Sequence, residues 1–177
     1  MRSTYKIYAQ EGIYFVTSTT VEWIPIFTRK KYFEIIIQSL TFCRKDKGLK
    51  IYAFIIMDNH IHMIVSGENL SQTMKEFKSF TATEIIKVAK KDNRQWLLNQ
   101  LEFYKKKYKN TSTHQVWQEG FHPKQITSDE MLSQKVDYIH YNPVEAGSVK
   151  KAEDWIYSSA SNYLLGTGVI EIDWLGE

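Results

Sequence analysis

The chain has 177 residues, 43% of them hydrophobic and 24% charged, with a formal net charge of +3. That length suits a single domain, 1–177, with a real core, and the composition excludes a wholly disordered chain. The weak basicity permits a nucleic-acid partner without demanding one. A single cysteine, Cys43, excludes an intramolecular disulfide and a cysteine metal cluster.

In chain order, the β-branched and aromatic run from Gly12 to Thr20 predicts a strand. From Thr28 to about Lys45, Phe33, Ile36, Ile37 and Leu40 repeat at helical spacing, and Gly48 stops the helix. Ile51–Met57 predicts a second strand and His60–Val65 a third, with Asp58 and Asn59 as the turn of a hairpin. Ser71 is the expected N-cap of a helix running to about Lys90. Residues 92–109 are expected to be helical, ending in the Lys105–Lys109 charge run. Residues 115–118 and 121–126 are expected as short extended pieces. A helix capped at Thr127 or Ser128 should end near Asn142, because Pro143 disfavours helical geometry before it. A short helix around 159–165 and an edge strand at 169–172 complete the tail. This order predicts an α+β fold, a ferredoxin-like sandwich with an antiparallel sheet and helices on one face. Met1–Lys6 lacks the apolar core of a signal peptide, and no apolar run reaches the length of a membrane span. A reducing cytoplasm is the expected location.

The chemistry concentrates in two places. His60 and His62 flank Ile61 on a strand, whose side chains alternate, so both imidazoles leave one face, close enough to share a metal ion. The competing reading is a polar corner of the core. On the late helix, Tyr138 and Asn142 are one turn apart and share a face. Two imidazoles and an amide oxygen form a donor set for a divalent cation, with a phenol oxygen beside whatever the cation polarises. Tyr141 points differently from Tyr138 and is expected in the core or against a base. His140 is expected to be structural, His122 to be a loop histidine, and His114 has no assigned role. Lys75 and Lys78 lie three apart on the helix after the histidine strand and are candidate phosphate contacts, against the alternative of a solvated helix face. The Lys105–Lys109 run admits the same two readings.

The pattern His60-Ile61-His62, followed by Tyr138-Ile139, Asn142-Pro143-Val144 and Gly147, resembles the single-tyrosine HUH transposases of the IS200/IS605 type. The REP-associated tyrosine transposases are the nearer branch, which Trp117 before Gly120-Phe121, and Trp155 with Ser158 and Ser159, also resemble. The resemblance covers roughly residues 5 to 163. It implies a metal-dependent nuclease and strand transferase for single-stranded DNA with hairpin or palindromic ends. Tyr138 would be the nucleophile, forming a 5′-phosphotyrosine and releasing a 3′-hydroxyl. His60 and His62 would bind Mg²⁺ or Mn²⁺, with Asn142 as the third ligand. Imidazole suits Mn²⁺ better than Mg²⁺, which favours oxygen. The resemblance admits a monomer or a homodimer. The alternative readings are a non-catalytic single-stranded nucleic-acid-binding domain of the same fold and a metal hydrolase for a small substrate.

Overall fold

Three β-rich segments build the centre of the molecule. In the computed structural model, which describes residues 12–120 and 122–175, β1 spans Tyr14–Thr19, β2 Lys50–Ile56 and β3 His60–Ser66. Met57 N–H donates to the His60 carbonyl (2.8 Å), closing the β2–β3 hairpin around Asp58 and Asn59 as the turn chemistry predicts. A short β4, Lys124–Gln125, pairs with the outer edge of β1. Each pairing is antiparallel, and the order across the sheet is β2-β3-β1-β4. Helix α1 (Lys30–Lys47) connects β1 to β2, and α2 (Leu70–Lys91) and α3 (Gln95–Phe103) lie between β3 and β4. This is the split β-α-β arrangement expected of a ferredoxin-like sandwich. Met1–Lys6 and Phe121 lie outside the described residues.

Period-two alternation sorts the strands into two faces. Val16, Ile61, Met63, Val65, Phe54 and Ile56 face α1 and α2, whose Phe33, Ile36, Leu40, Met74 and Phe77 complete the larger core cluster. On the other face, Phe15, Ala53, Ile55 and Ile64 pack under α4 (Asp129–Glu145) through Leu132, Val136 and Ile139. Helices therefore cover both faces: α1 and α2 form the expected layer, and α4 adds a second on the histidine side. An isolated helix pattern does not say which face of a sheet its apolar stripe will meet.

Several boundaries differ from the sequence expectation. Helix α2 is capped at Asn69 rather than Ser71. The helix expected over 92–109 shrinks to α3 because Asn93 takes a left-handed conformation (φ 51°), and beyond Phe103 the chain bonds to itself and to Gln115 instead. Helix α4 does begin at Ser128, whose hydroxyl accepts from Met131 N–H (3.2 Å). It does not stop at Asn142. It runs through Pro143 to Glu145, with the Pro143 ring buried, and then closes in a Schellman motif. Gly147 takes φ 73° there, and Ser148 N–H reaches the Pro143 carbonyl (2.9 Å). A proline can remain in a helix when burial of its ring offsets the one lost bond. The short tail helix appears as α5, Ala160–Leu165. Residues 169–172 form no strand. Asp173 instead reaches the β2 edge, through its N–H to Ile51 O (2.8 Å) and its carboxylate to Ile51 N–H (2.8 Å) and Arg44 (2.9 Å). Among the described residues no helix is long and apolar enough to cross a membrane.

Candidate active site

Strand register brings His60 and His62 out on the α4 face, opposite Thr19 and Thr17 of β1. Their ring centroids are 4.6 Å apart. Each ring is held by its Nδ1. Asn59 Oδ1 lies 2.7 Å from His60 Nδ1, and an amide oxygen accepts, so this nitrogen donates. Thr17 Oγ1 lies 2.8 Å from His62 Nδ1, and the Phe15 ring stacks on His62 at 5.3 Å. Both Nε2 atoms are thereby left on the outer side of the rings. Orienting a histidine through its other nitrogen is how metal-binding imidazoles are usually set. Asn59 thus does more than form the turn: its amide also ties to Trp23 O (3.2 Å) and fixes His60.

Helix α4 supplies the other half. The Tyr138 hydroxyl lies 3.4 Å from His62 Nε2, and the rings are 5.2 Å apart. Asn142 follows one turn later on the same helix and is half-buried. The structure thus brings His60, His62 and Tyr138 together, from segments far apart in sequence, with Asn142 on the helix that carries the phenol. Ile139 is fully buried between α4 and the sheet. It fixes the helix at this height above β3.

Burial sets the electrostatics. Desolvation, then the neighbouring His60 and Lys135 charges, push the His62 pKa down to about 3. Burial also lowers that of His60, against a small opposing pull from Asp58. Both imidazoles are therefore neutral at physiological pH, the state in which they donate a lone pair to a metal. Among the described residues no group of three or more His, Cys, Asp and Glu side chains could hold a metal ion. A third protein ligand here would be an amide or a phenol, and Asn142 offers the amide. The donor set fits a divalent ion that accepts imidazole, such as Mn²⁺, better than one that demands oxygen alone.

Other residues separate from this cluster. Lys75 and Lys78 sit on α2, which packs on the opposite face of the sheet. They line a groove of about 620 Å³ with Lys109, His114 and Gln118. The Lys78 ammonium donates to the Gln118 carbonyl (2.6 Å) and to that of Gly120, and burial lowers its pKa to about 8. Tyr141 is 58% exposed and does not join the core. His140 is buried against Ser159, as a structural role requires. His122 is exposed before β4. Lys135 was missed: its ammonium lies 4.7 Å from the Phe15 ring centroid and 5.5 Å from that of Tyr138. The i,i+3 spacing from Lys135 to Tyr138 is the signal that finds it.

A family model described as IS200-like transposase matches residues 14–142, which contain both histidines, the tyrosine and the asparagine. The chain belongs to the IS200-like transposase family. Among curated relatives, it is 30% identical over 107 residues to a Haemophilus influenzae protein named as a REP-associated tyrosine transposase, covering 60% of this chain and 56% of that one. It is 25% identical over 139 residues to the REP-associated tyrosine transposase of Escherichia coli K12, covering 76% and 67%. The match thus spans little more than half the length of the first relative. The fold of this IS200-like transposase also matches the solved structure of a REP-associated tyrosine transposase bound to a REP hairpin. The TM-score is 0.70 with 22% identity, over 100% of this chain and 93% of that one.

Proposed function

We propose that this family member is a metal-dependent endonuclease and strand transferase for single-stranded DNA, with Tyr138 as nucleophile. The observation that carries the reading is the approach of the Tyr138 hydroxyl to His62 Nε2, 3.4 Å away, beside a second neutral imidazole. His60, His62 and Asn142 would hold Mg²⁺ or Mn²⁺. When bound, the ion would supply charge neutralisation to the phosphate. The phenol oxygen of Tyr138 attacks phosphorus and the P–O3′ bond breaks. The upstream strand leaves with a 3′-hydroxyl after taking up one proton, and the downstream strand stays on the enzyme as a 5′-phosphotyrosine. One phosphodiester replaces another, so rejoining by a 3′-hydroxyl needs no external energy source. Packing of Phe15 and Ile139 against the site holds the phenol for in-line attack, the positioning term of the barrier. Lys135 adds a cation beside the ring, suited to a phosphate oxygen.

The substrate we infer is a strand with hairpin or palindromic ends, in line with the REP hairpin named for the structural relative. Lys75 and Lys78 remain proposed DNA contacts, at the groove on α2 across the sheet from the histidines. We place the activity in the cytoplasm, with either a monomer or a homodimer as the working unit.

The test is a covalent adduct between the protein and 3′-labelled hairpin DNA with Mn²⁺, read on a denaturing gel. Wild type should give the adduct and Tyr138→Phe none. An adduct that survives in Tyr138→Phe but disappears in Tyr141→Phe overturns the assignment. Hairpin binding with no adduct from wild type favours the non-catalytic DNA-binding reading.

A further inference from the structure

Helix α4 advances about 100° per residue, so the neighbours of Ile139 project to its two sides. Ile139 points into the sheet. Tyr138 lies on one flank, over β3 and beside His62. His140 lies on the other flank, where its Nε2 is 2.8 Å from Ser159 Oγ. Ser159 is itself locked to the edge strand β2. Its Oγ accepts from Phe54 N–H (2.9 Å), and its own N–H donates to the Phe54 carbonyl (3.0 Å). Tyr163 packs on the His140 ring at 4.8 Å and donates to the Tyr52 carbonyl (2.9 Å). Trp155 Nε1–H donates to the Ile56 carbonyl (3.1 Å), so residues 155–163 are fastened along β2. His140 and Ser159 are both buried.

We propose that the His140–Ser159 pair is a positioning device for the Tyr138 nucleophile, fixing the roll of α4 about its axis. The proposal rests on the function inferred for Tyr138. Burial of Leu132, Val136 and Ile139 fixes the height of the helix but resists rotation weakly, because aliphatic side chains make non-directional contacts. A hydrogen bond on one flank supplies the missing constraint. The Tyr138 oxygen lies roughly 8 Å from the helix axis, so a roll of about 10° moves it about 1.4 Å. A displacement of about 1 Å at a reacting atom can cost on the order of 100-fold in rate. Substrate binding does not depend on that coordinate, so the pair should act on the chemical step.

The test measures single-turnover adduct formation and hairpin affinity in wild type, His140→Ala, His140→Gln and Ser159→Ala, with the double variant His140→Ala/Ser159→Ala. His140→Ala and Ser159→Ala should each slow adduct formation about 10- to 100-fold with hairpin affinity within about twofold. The double variant should be no slower than the worse single one, because both break one coupling. His140→Gln, which keeps a polar atom near the Nε2 position, should recover most of the rate. A His140→Ala rate within about twofold of wild type, a matching loss of hairpin affinity, or strictly additive single effects overturns the proposal. Should His140→Ala fail to fold, Ser159→Ala and His140→Gln carry the comparison. A nuclear Overhauser contact between the Tyr138 and His62 rings separates the two levels of inference. If wild type forms no adduct, the proposed activity falls. The positioning claim then stands if that contact is lost in His140→Ala and restored in His140→Gln, and falls if His140→Ala keeps it.

Discussion

Two buried neutral histidines make this protein sensitive to mild acid, and the size of the effect follows from their surroundings. Burial depresses the pKa of His62 to about 3 and that of His140 to about 4, whereas in the unfolded chain both titrate near ~6.5. The unfolded state therefore binds more protons, and stability falls as pH drops below ~6.5. Above that value neither group contributes a slope. At pH 5 each histidine costs about 2 kcal/mol, and the two together about 4 kcal/mol. That is a large share of the ~5–15 kcal/mol that holds a typical domain together. The paired carboxylates act in a lower window: Asp92 beside Lys31 and Glu76 beside Lys47 lose their ion pairs only as pH falls through their depressed pKa values. The assay is urea unfolding in EDTA at pH 7.5, 6.5, 5.5 and 5.0, comparing wild type with His62→Gln/His140→Gln. Wild type should lose about 4 kcal/mol across this range, and the double variant should lose much less. A flat wild-type profile, or an equal slope in both proteins, refutes the reasoning. If Mn²⁺ occupies the His62 imidazole, adding it should raise wild-type stability without flattening the slope, because the folded His62 is already neutral over this range and the protons are taken up by the unfolded state.

Other outcomes follow from packing. Ile139→Ala should lower stability by about 2–5 kcal/mol in chemical denaturation, since the side chain is fully buried between α4 and the sheet. It should also loosen the Tyr138–His62 approach. Lys78→Met should destabilise by about 1–3 kcal/mol through loss of the two carbonyl contacts. Lys75→Ala, at an exposed position, should stay within about 0.5 kcal/mol. If the groove on α2 carries DNA, Lys75→Glu should weaken hairpin binding and reduce its salt dependence by about one ion, measured by titration at several salt concentrations.

Much of the fold was legible in the sequence because period and punctuation speak locally. β-branched and aromatic composition marked β1, an apolar run marked β3, Gly48 marked the end of α1, where it takes φ 66°, and Asp58-Asn59 marked the hairpin. The boundaries that moved were set by tertiary contacts. Pro143 stays helical because its ring is buried, and residues 169–172 are held by the Arg44–Glu171 ion pair and by the Asn162 amide on the Ile170 carbonyl rather than by a strand ladder. At the site, the sequence supplied His60, His62, Tyr138 and Asn142 through spacing on a strand and on a helix. It did not supply Lys135, Thr17, Asn59 or Phe15, whose roles are contacts between elements.

The sequence alone thus determined which side chains share a face, since that depends only on the period of a strand or a helix. The structure decided which faces meet. It set α4 on the histidine side of the sheet and α2, with Lys75 and Lys78, on the other. The physical reason is that an apolar stripe drives burial without direction, so chain connectivity and packing, not local pattern, choose the partner.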